Sequence, residues 1–212
     1  IDRPEAMNSL SRAVREGLWS AFRRFVDEDA ALVAILTATG DKAFCAGGDL
    51  KEMSEAALQV PPDDFLPYLN KNIRTNKPVI AAVNGLAYAG GFFLAQMCDL
   101  CIASDNAKFA ISEPKVGRGA PWAAPLSWLI PPRVAMELLV TANPLSAERA
   151  YQVGLVNQVV PLADLATAAR DMATSITKNA PLSVRAGKEM VYKSAELGWR
   201  AALVMGDDVY EH

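Results

Sequence analysis

Histidine is almost missing from this chain: its single residue, His212, is the last of 212, and terminal residues are ordinarily poorly ordered. That scarcity removes Ser-His-Asp and Cys-His nucleophilic catalysis. With three scattered cysteines it also removes the usual ligand sets for zinc and non-haem iron, so no metal is expected. Neither sign of charge dominates. The formal net charge of −3 provides no basic stripe for a nucleic-acid backbone and argues equally against an anionic membrane surface. Long hydrophobic runs are lacking too, because the most apolar stretch, 78–102, is broken by Asn84, Gly85, Gly90, Gly91, Gln96 and Asp99. No membrane-spanning helix is expected. No phosphate-binding loop signature occurs, and the segment Gly117 to Trp122 fails the dinucleotide fingerprint, with Trp122 in place of its third glycine.

Cysteine is sparse, at three residues. An odd count in a chain long enough to bury a core points to a reducing, cytoplasmic compartment. Cys98 and Cys101 are spaced as C-x-x-C, but they stand where an apolar helix passes into a strand and are read as small buried hydrophobes. With 51% apolar and 21% charged residues, one large domain, or one with a small appendage, is the expectation.

The chain alternates short strands and helices. Apolar spacing predicts a helix over 12–27 with Ser11 as its N-cap. The run 31–38 is expected to be a buried strand. Cys45 to Leu50 then forms a glycine turn into a short polar helix, 51–57, before an exposed and mobile loop at 58–67. A second unit repeats the plan: strand 78–83, a turn at Asn84-Gly85, and a glycine turn at 88–93 opening a helix that runs to about Asp99. Two strands follow at 100–104 and 108–112. Beyond them come helices at 133–142, 147–153 and 162–178, a strand at 155–160, and a helical tail at 182–210. Two Ala-Gly-Gly triplets, 46–48 and 89–91, fall 43 residues apart, a hint of stacked repeats. Ile1 to Pro4 reads as the end of a strand, and the helical pattern runs abruptly into His212, so further residues are expected at both ends.

What remains for chemistry is carboxylate, lysine, tyrosine and backbone. A glycine turn between a strand and a helix leaves N–H groups unpaired at the positive end of the helix dipole. Two such turns converging on one oxygen, through the N–H groups of Gly48 and Gly90, would form an oxyanion hole, each donor contributing about 10²–10³ in rate. The same glycines could equally serve only to make tight turns.

Lys42 to Met53 (KAFCAGGDLKEM) and Lys77 to Gly85 (KPVIAAVNG), the latter followed by its own Ala-Gly-Gly, are similar to the signature of the crotonase superfamily, the enoyl-CoA hydratase/isomerase family. Arg3 to Asn8, Gly154 to Asn157 and Val159 to Pro161 agree with it in order and spacing. The resemblance covers nearly the whole chain. It implies an α/β fold, a spiral of ββα repeats over 1–161 with a helical C-terminal region over 162–212, assembled as homo-oligomers, trimers or hexamers. It implies an acyl-CoA thioester substrate, coenzyme A being part of that substrate rather than a resident cofactor, and the oxyanion hole at Gly48 and Gly90. By the same resemblance, backbone around Ala46 and Leu50 takes the adenine, Ala6 and Met7 line the pantetheine path, and Lys51 or Arg3 approaches the CoA phosphates.

Two carboxylates work in the family's hydratases. The first position falls on Phe93 and the second on Glu113. Phe93 cannot accept a hydrogen bond from water, whereas one carboxylate beside an apolar wall of Phe92, Phe93 and Trp122 suits shifting a double bond. That wall is also expected to raise the pKa of Glu113. Double-bond isomerisation is therefore the leading expectation, with an enoyl-CoA hydratase or a catalytically silent acyl-CoA-binding protein as alternatives. The segment 118–126 departs from the family's glycine-rich stretch, which leaves substrate choice open.

Overall fold

Helix α1 (Arg12–Asp27) follows a 3-10 turn at Pro4–Ala6 in the computed structural model, which describes residues 1–55 and 62–210. The Ser11 side chain accepts a hydrogen bond from the Val14 N–H, the expected N-cap, and the helix buries Leu18, Phe22 and Phe25. Each of those side chains contributes about 1.5–3 kcal/mol on leaving water. The other end of α1 is closed by a buried lysine. Lys77 Nζ donates to the carbonyls of Phe25 (2.9 Å), Val26 (3.1 Å) and Glu28 (2.9 Å), placing a cation on orphan acceptors at the negative end of the helix dipole.

The chain then repeats a strand–strand–helix step in which the two strands go to different sheets. The first step is β1 (Ala34–Leu36), β2 (Ala43–Cys45) and α2 (Leu50–Glu55). The second is β3 (Val79–Val83), β4 (Leu86–Tyr88) and α3 (Gly90–Met97). A third pair is β5 (Leu100–Ser104) and β6 (Lys108–Ala110). After α4 (Leu126–Leu129) and α5 (Pro132–Thr141) come β7 (Leu145–Ser146), α6 (Ala147–Gln152), β8 (Gln158–Val160) and α7 (Leu165–Thr177). Among the described residues the sheets run β1-β3-β5-β8 and β2-β4-β6-β7, parallel throughout except for the β6–β7 pair. Ala43 pairs with Leu86, the same 43-residue step that separates the two Ala-Gly-Gly triplets.

Strand β3 shows why its sequence is apolar without alternation. Val79, Ala81 and Val83 face the main core between the sheets, while Ile80 and Ala82 face a second cluster with Leu165 and Ala169 of α7. Burial on both faces demands apolar residues at every position. The expected strand 31–38 differs: it shortens to β1, an edge strand covered on one side, and Ile35 is 37% exposed. The expected strand 108–112 stops at Ala110, because the chain turns at Ser112 into a 3-10 helix, Glu113–Val116. The expected strand 155–160 pairs only over Gln158–Val160. The helix foreseen at 162–178 opens with a separate 3-10 turn, Leu162–Asp164, before α7. Of the second sheet, β6 answers to the strand expected at 108–112, while β2 and β4, with three residues each, are too short to display a period and were not placed. Of the loop expected at 58–67, positions 58–61 lie outside the described residues, as do 56–57 of the helix foreseen at 51–57. From Pro62 the chain is exposed as far as Asp64 and meets α1 twice: Trp19 donates to Asp64 O at 2.9 Å and Arg15 lies 4.2 Å above the Phe65 ring.

The helical tail is two helices, α8 (Pro181–Ser194) and α9 (Trp199–Tyr210), separated by a break that includes Gly198. Helix α8 is latched to the sheet through Lys188, whose ammonium binds Asp99 at 2.9 Å and the Lys77 carbonyl at 3.0 Å, while the Tyr192 hydroxyl donates to the other Asp99 oxygen at 2.8 Å. No helix among the described residues is long and apolar enough to cross a membrane. Cys45, Cys98 and Cys101 are free and buried. Burial pushes Cys45 and Cys101 up to about 12 and raises Cys98 as well, which keeps all three as inert thiols.

Two glycines make opposite tests of this packing. A β-carbon on Gly91 would overlap the Cys45 carbonyl, whereas one on Gly17, in α1, would meet nothing within 4 Å. Gly91→Ala should lower unfolding free energy by about 3 kcal/mol or more, and Gly17→Ala should raise it by about 0.5–1 kcal/mol. Urea denaturation of both variants checks the pair; equal effects would contradict the packing described.

Candidate active site

Three segments of interest leave the same end of one sheet. β2, β4 and β6 are neighbouring parallel strands, and their carboxyl ends deliver, in order, the turn 46–48, the turn 89–91 and Glu113. Ligands in α/β folds bind outside the carboxyl ends of parallel strands, where N–H groups and helix N-termini collect.

The two glycine turns are pressed together. A β-carbon on Gly47 would fall 2.9 Å from the Ala89 methyl and 3.5 Å from the Gly90 nitrogen; one on Gly90 would fall 2.6 Å from Leu10 Cδ1 and 3.7 Å from Gly47 Cα. Among the described residues the Gly48 and Gly90 N–H groups have no hydrogen-bond partner. Ala89, at φ 49° and ψ −119°, turns the chain sharply into α3. Residues 3–10 wrap this pair of turns: the Ala46 N–H donates to Met7 O at 3.0 Å, and the Leu10 N–H to Gly47 O at 2.8 Å. Met7 and Asn8 are both left-handed, at φ 53° and 54°. Asn8 is held by its side-chain amide, which donates to Thr39 O and Ala43 O.

Ala6 and Met7 therefore lie beside Ala46, while Leu50 and Lys51 open α2 with exposed side chains. Asp49 caps that helix, its Oδ1 accepting from Lys51 N at 3.1 Å and Glu52 N at 3.3 Å. Arg3 Nη1 binds Asp49 Oδ2 at 2.6 Å and holds its carboxyl below the ordinary aspartate range. Arg3 is thus engaged in anchoring the turn, a role that its sequence position did not disclose.

On the far side stands Glu113. Its Oε1 accepts the Trp122 Nε1–H at 2.8 Å, and its Oε2 is buried without a partner. Burial raises its pKa above the ordinary glutamate value, opposed by the Trp122 hydrogen bond and by the main-chain amides of Glu113 and Ser112. Phe93, on the first turn of α3, is buried in an aromatic cluster. Its ring meets Tyr68 edge-on at 4.7 Å and Trp122 at 6.1 Å, and Phe92 meets Trp122 at 5.7 Å. Gln96, one turn further on, donates to the Trp122 carbonyl at 2.9 Å. Sequence reasoning nominated Glu113, Phe93 and Trp122 but missed Tyr68, Leu10 and Gln96, which no motif marks. Among the described residues no three His, Cys, Asp or Glu side chains converge as metal ligands would.

The family model described as enoyl-CoA hydratase/isomerase matches residues 1–212. The chain belongs to the enoyl-CoA hydratase/isomerase family. It is 38% identical over 203 residues to a carnitinyl-CoA dehydratase of Proteus mirabilis, covering 93% of this chain and 77% of that one. The crystal structure of an enoyl-CoA hydratase from Mycobacterium marinum superposes with a TM-score of 0.87 at 35% identity, covering 99% of this chain and 82% of the other. One from Bacillus anthracis gives 0.87 at 34%, covering 99% and 83%. The α/β architecture is accordingly the crotonase fold, and the chain is an acyl-CoA enzyme of this family.

The elevated pKa of Glu113 has a direct check. An infrared pH titration, differenced against Glu113→Gln, should show one carboxyl band with a midpoint above the ordinary glutamate value of about 4.3; a midpoint at or below that value would contradict the burial described.

Proposed function

We propose that this family member shifts the double bond of an enoyl-CoA thioester. Glu113, as carboxylate, takes a proton from C2 of a 3-enoyl-CoA. The electron pair moves into the thioester, placing negative charge on its carbonyl oxygen, where the N–H groups of Gly48 and Gly90 receive it. Collapse of this enolate forms the C2=C3 bond, and Glu113 returns the proton to C4. No group outside the chain is consumed, and coenzyme A is the handle of the substrate rather than a resident cofactor. Ala6, Met7, Ala46, Leu50 and Lys51 line the side of the glycine turns where that handle is proposed to lie.

The observation that carries this reading is Phe93. A hydratase site asks for a second hydrogen-bonding group to orient water, and residue 93 instead holds a phenyl ring packed against Tyr68 and against Trp122, the partner of Glu113. The second reading, reversible hydration, is favoured by the names of the relatives, a dehydratase and two hydratases. The exposed apolar side chains of α9, Trp199, Leu203 and Val204, support assembly into a homo-oligomer, a trimer or a hexamer.

Glu113→Gln should leave the fold intact and lower isomerase turnover by about 10²–10⁴, the usual contribution of a positioned general base. Steady-state assays on a panel of 2-enoyl, 3-enoyl and 3-hydroxyacyl-CoA thioesters separate the readings. Fast hydration of 2-enoyl-CoA without isomerisation would select the second, and no turnover of any thioester would leave a binding protein. Light scattering of the purified chain checks the assembly; a stable monomer would refute it.

A further inference from the structure

We infer that Trp122 is the positioning residue that makes a single carboxylate sufficient, holding Glu113 by one oxygen so that the other alone carries the proton. The inference rests on Glu113 being the base. Its own ground is a pair of facts about one carboxyl group: Oε1 receives the Trp122 N–H at 2.8 Å, and Oε2 is buried with no partner. Among the described residues Trp122 is the one side-chain partner of this carboxylate.

The indole is itself immobilised. Its main-chain carbonyl accepts from Gln96, and its ring abuts Phe92 and Phe93 edge-on. Pro121 precedes it at the start of a 3-10 turn, Pro121–Ala123. By contrast Glu113 opens a short 3-10 helix whose following residues, Pro114 to Val116, are exposed. The indole adds the one side-chain hold on the carboxyl to the main-chain amides of Glu113 and Ser112.

The choice of donor has chemical content. Arginine or lysine at this distance would stabilise the carboxylate strongly and weaken it as a base. An indole N–H is neutral and donates only. It can hold Oε1 both when Oε2 is bare and when Oε2 carries the proton, so the carboxyl need not reorient between taking a proton from C2 and delivering it to C4.

The test compares Trp122→Phe with a variant carrying 3-benzothienylalanine at 122, which keeps the ring shape and replaces N–H by sulfur. Both should lower kcat by about 10–100-fold, the scale of a lost positioning contact, with KM changed by less than about threefold. Because the lost hydrogen bond favours the charged carboxylate, the acid limb of the kcat–pH profile should move up. Combining either change with Glu113→Gln should cost no more than Glu113→Gln alone. A benzothienyl variant with wild-type kcat and an unmoved acid limb would overturn the positioning role. Wild-type turnover in Glu113→Gln would instead overturn the assignment of the base, and the two failures are distinguishable.

Discussion

Two turns of the chain pass each other with space for no β-carbon beyond that of Ala89. Gly91 lies against the Cys45 carbonyl, Gly85 would bring a β-carbon to 2.5 Å from the Lys42 carbonyl, and Gly47 and Gly90 approach through their own backbones. Side chains at these positions would force the sheet of β2, β4 and β6 apart and separate the two glycine turns. At Gly85, Gly90 and Gly91 it is glycine's size that matters, since none of them has a left-handed φ, whereas Gly47, at φ 99°, needs glycine's conformational freedom as well. The wrap of residues 3–10, the cap at Asp49 and its ion pair with Arg3 all brace that contact from outside.

A second centre of organisation is polar. Residues 77–79 join three elements: the Lys77 ammonium closes α1, its carbonyl receives Lys188 of α8, and the Val79 N–H donates to Asp99 at 2.7 Å. Asp99 in turn holds Lys188 and Tyr192. Each buried charge here has several partners, the condition under which burying an ion is tolerable. Strand β3 thereby carries the helix that precedes the spiral and the helix that follows it.

Much of this was legible beforehand because it rests on local chemistry. Ser11 and the apolar spacing marked α1, and two glycine triplets marked the turns. The apolar neighbourhood of Glu113 foretold the direction of its pKa. Within the second sheet β6 was legible but β2 and β4 were not: three-residue strands show no alternation, and these two are strands because their neighbours pair with them. The hydrogen bond from Trp122 to Glu113 escaped for a related reason. Both residues were singled out, one as acid/base and one as pocket wall, but their contact depends on a 3-10 turn at Pro121 that brings the indole back across the sheet end. The ion pair of Arg3 was not legible either, because nothing local showed that Asp49, 46 residues on, would meet it.

Between the two glycine turns there is room for one methyl group, and it belongs to Ala89. That methyl occupies the notch left by Gly47, 2.9 Å from where a β-carbon on residue 47 would stand, and Ala89 keeps it in a backbone conformation that glycine would adopt more readily. The methyl cannot change sides. Residue 47 stands at φ 99°, and a β-carbon there would also lie 3.2 Å from the Tyr88 carbonyl oxygen, so even with Ala89 replaced by glycine the other turn would not accept it.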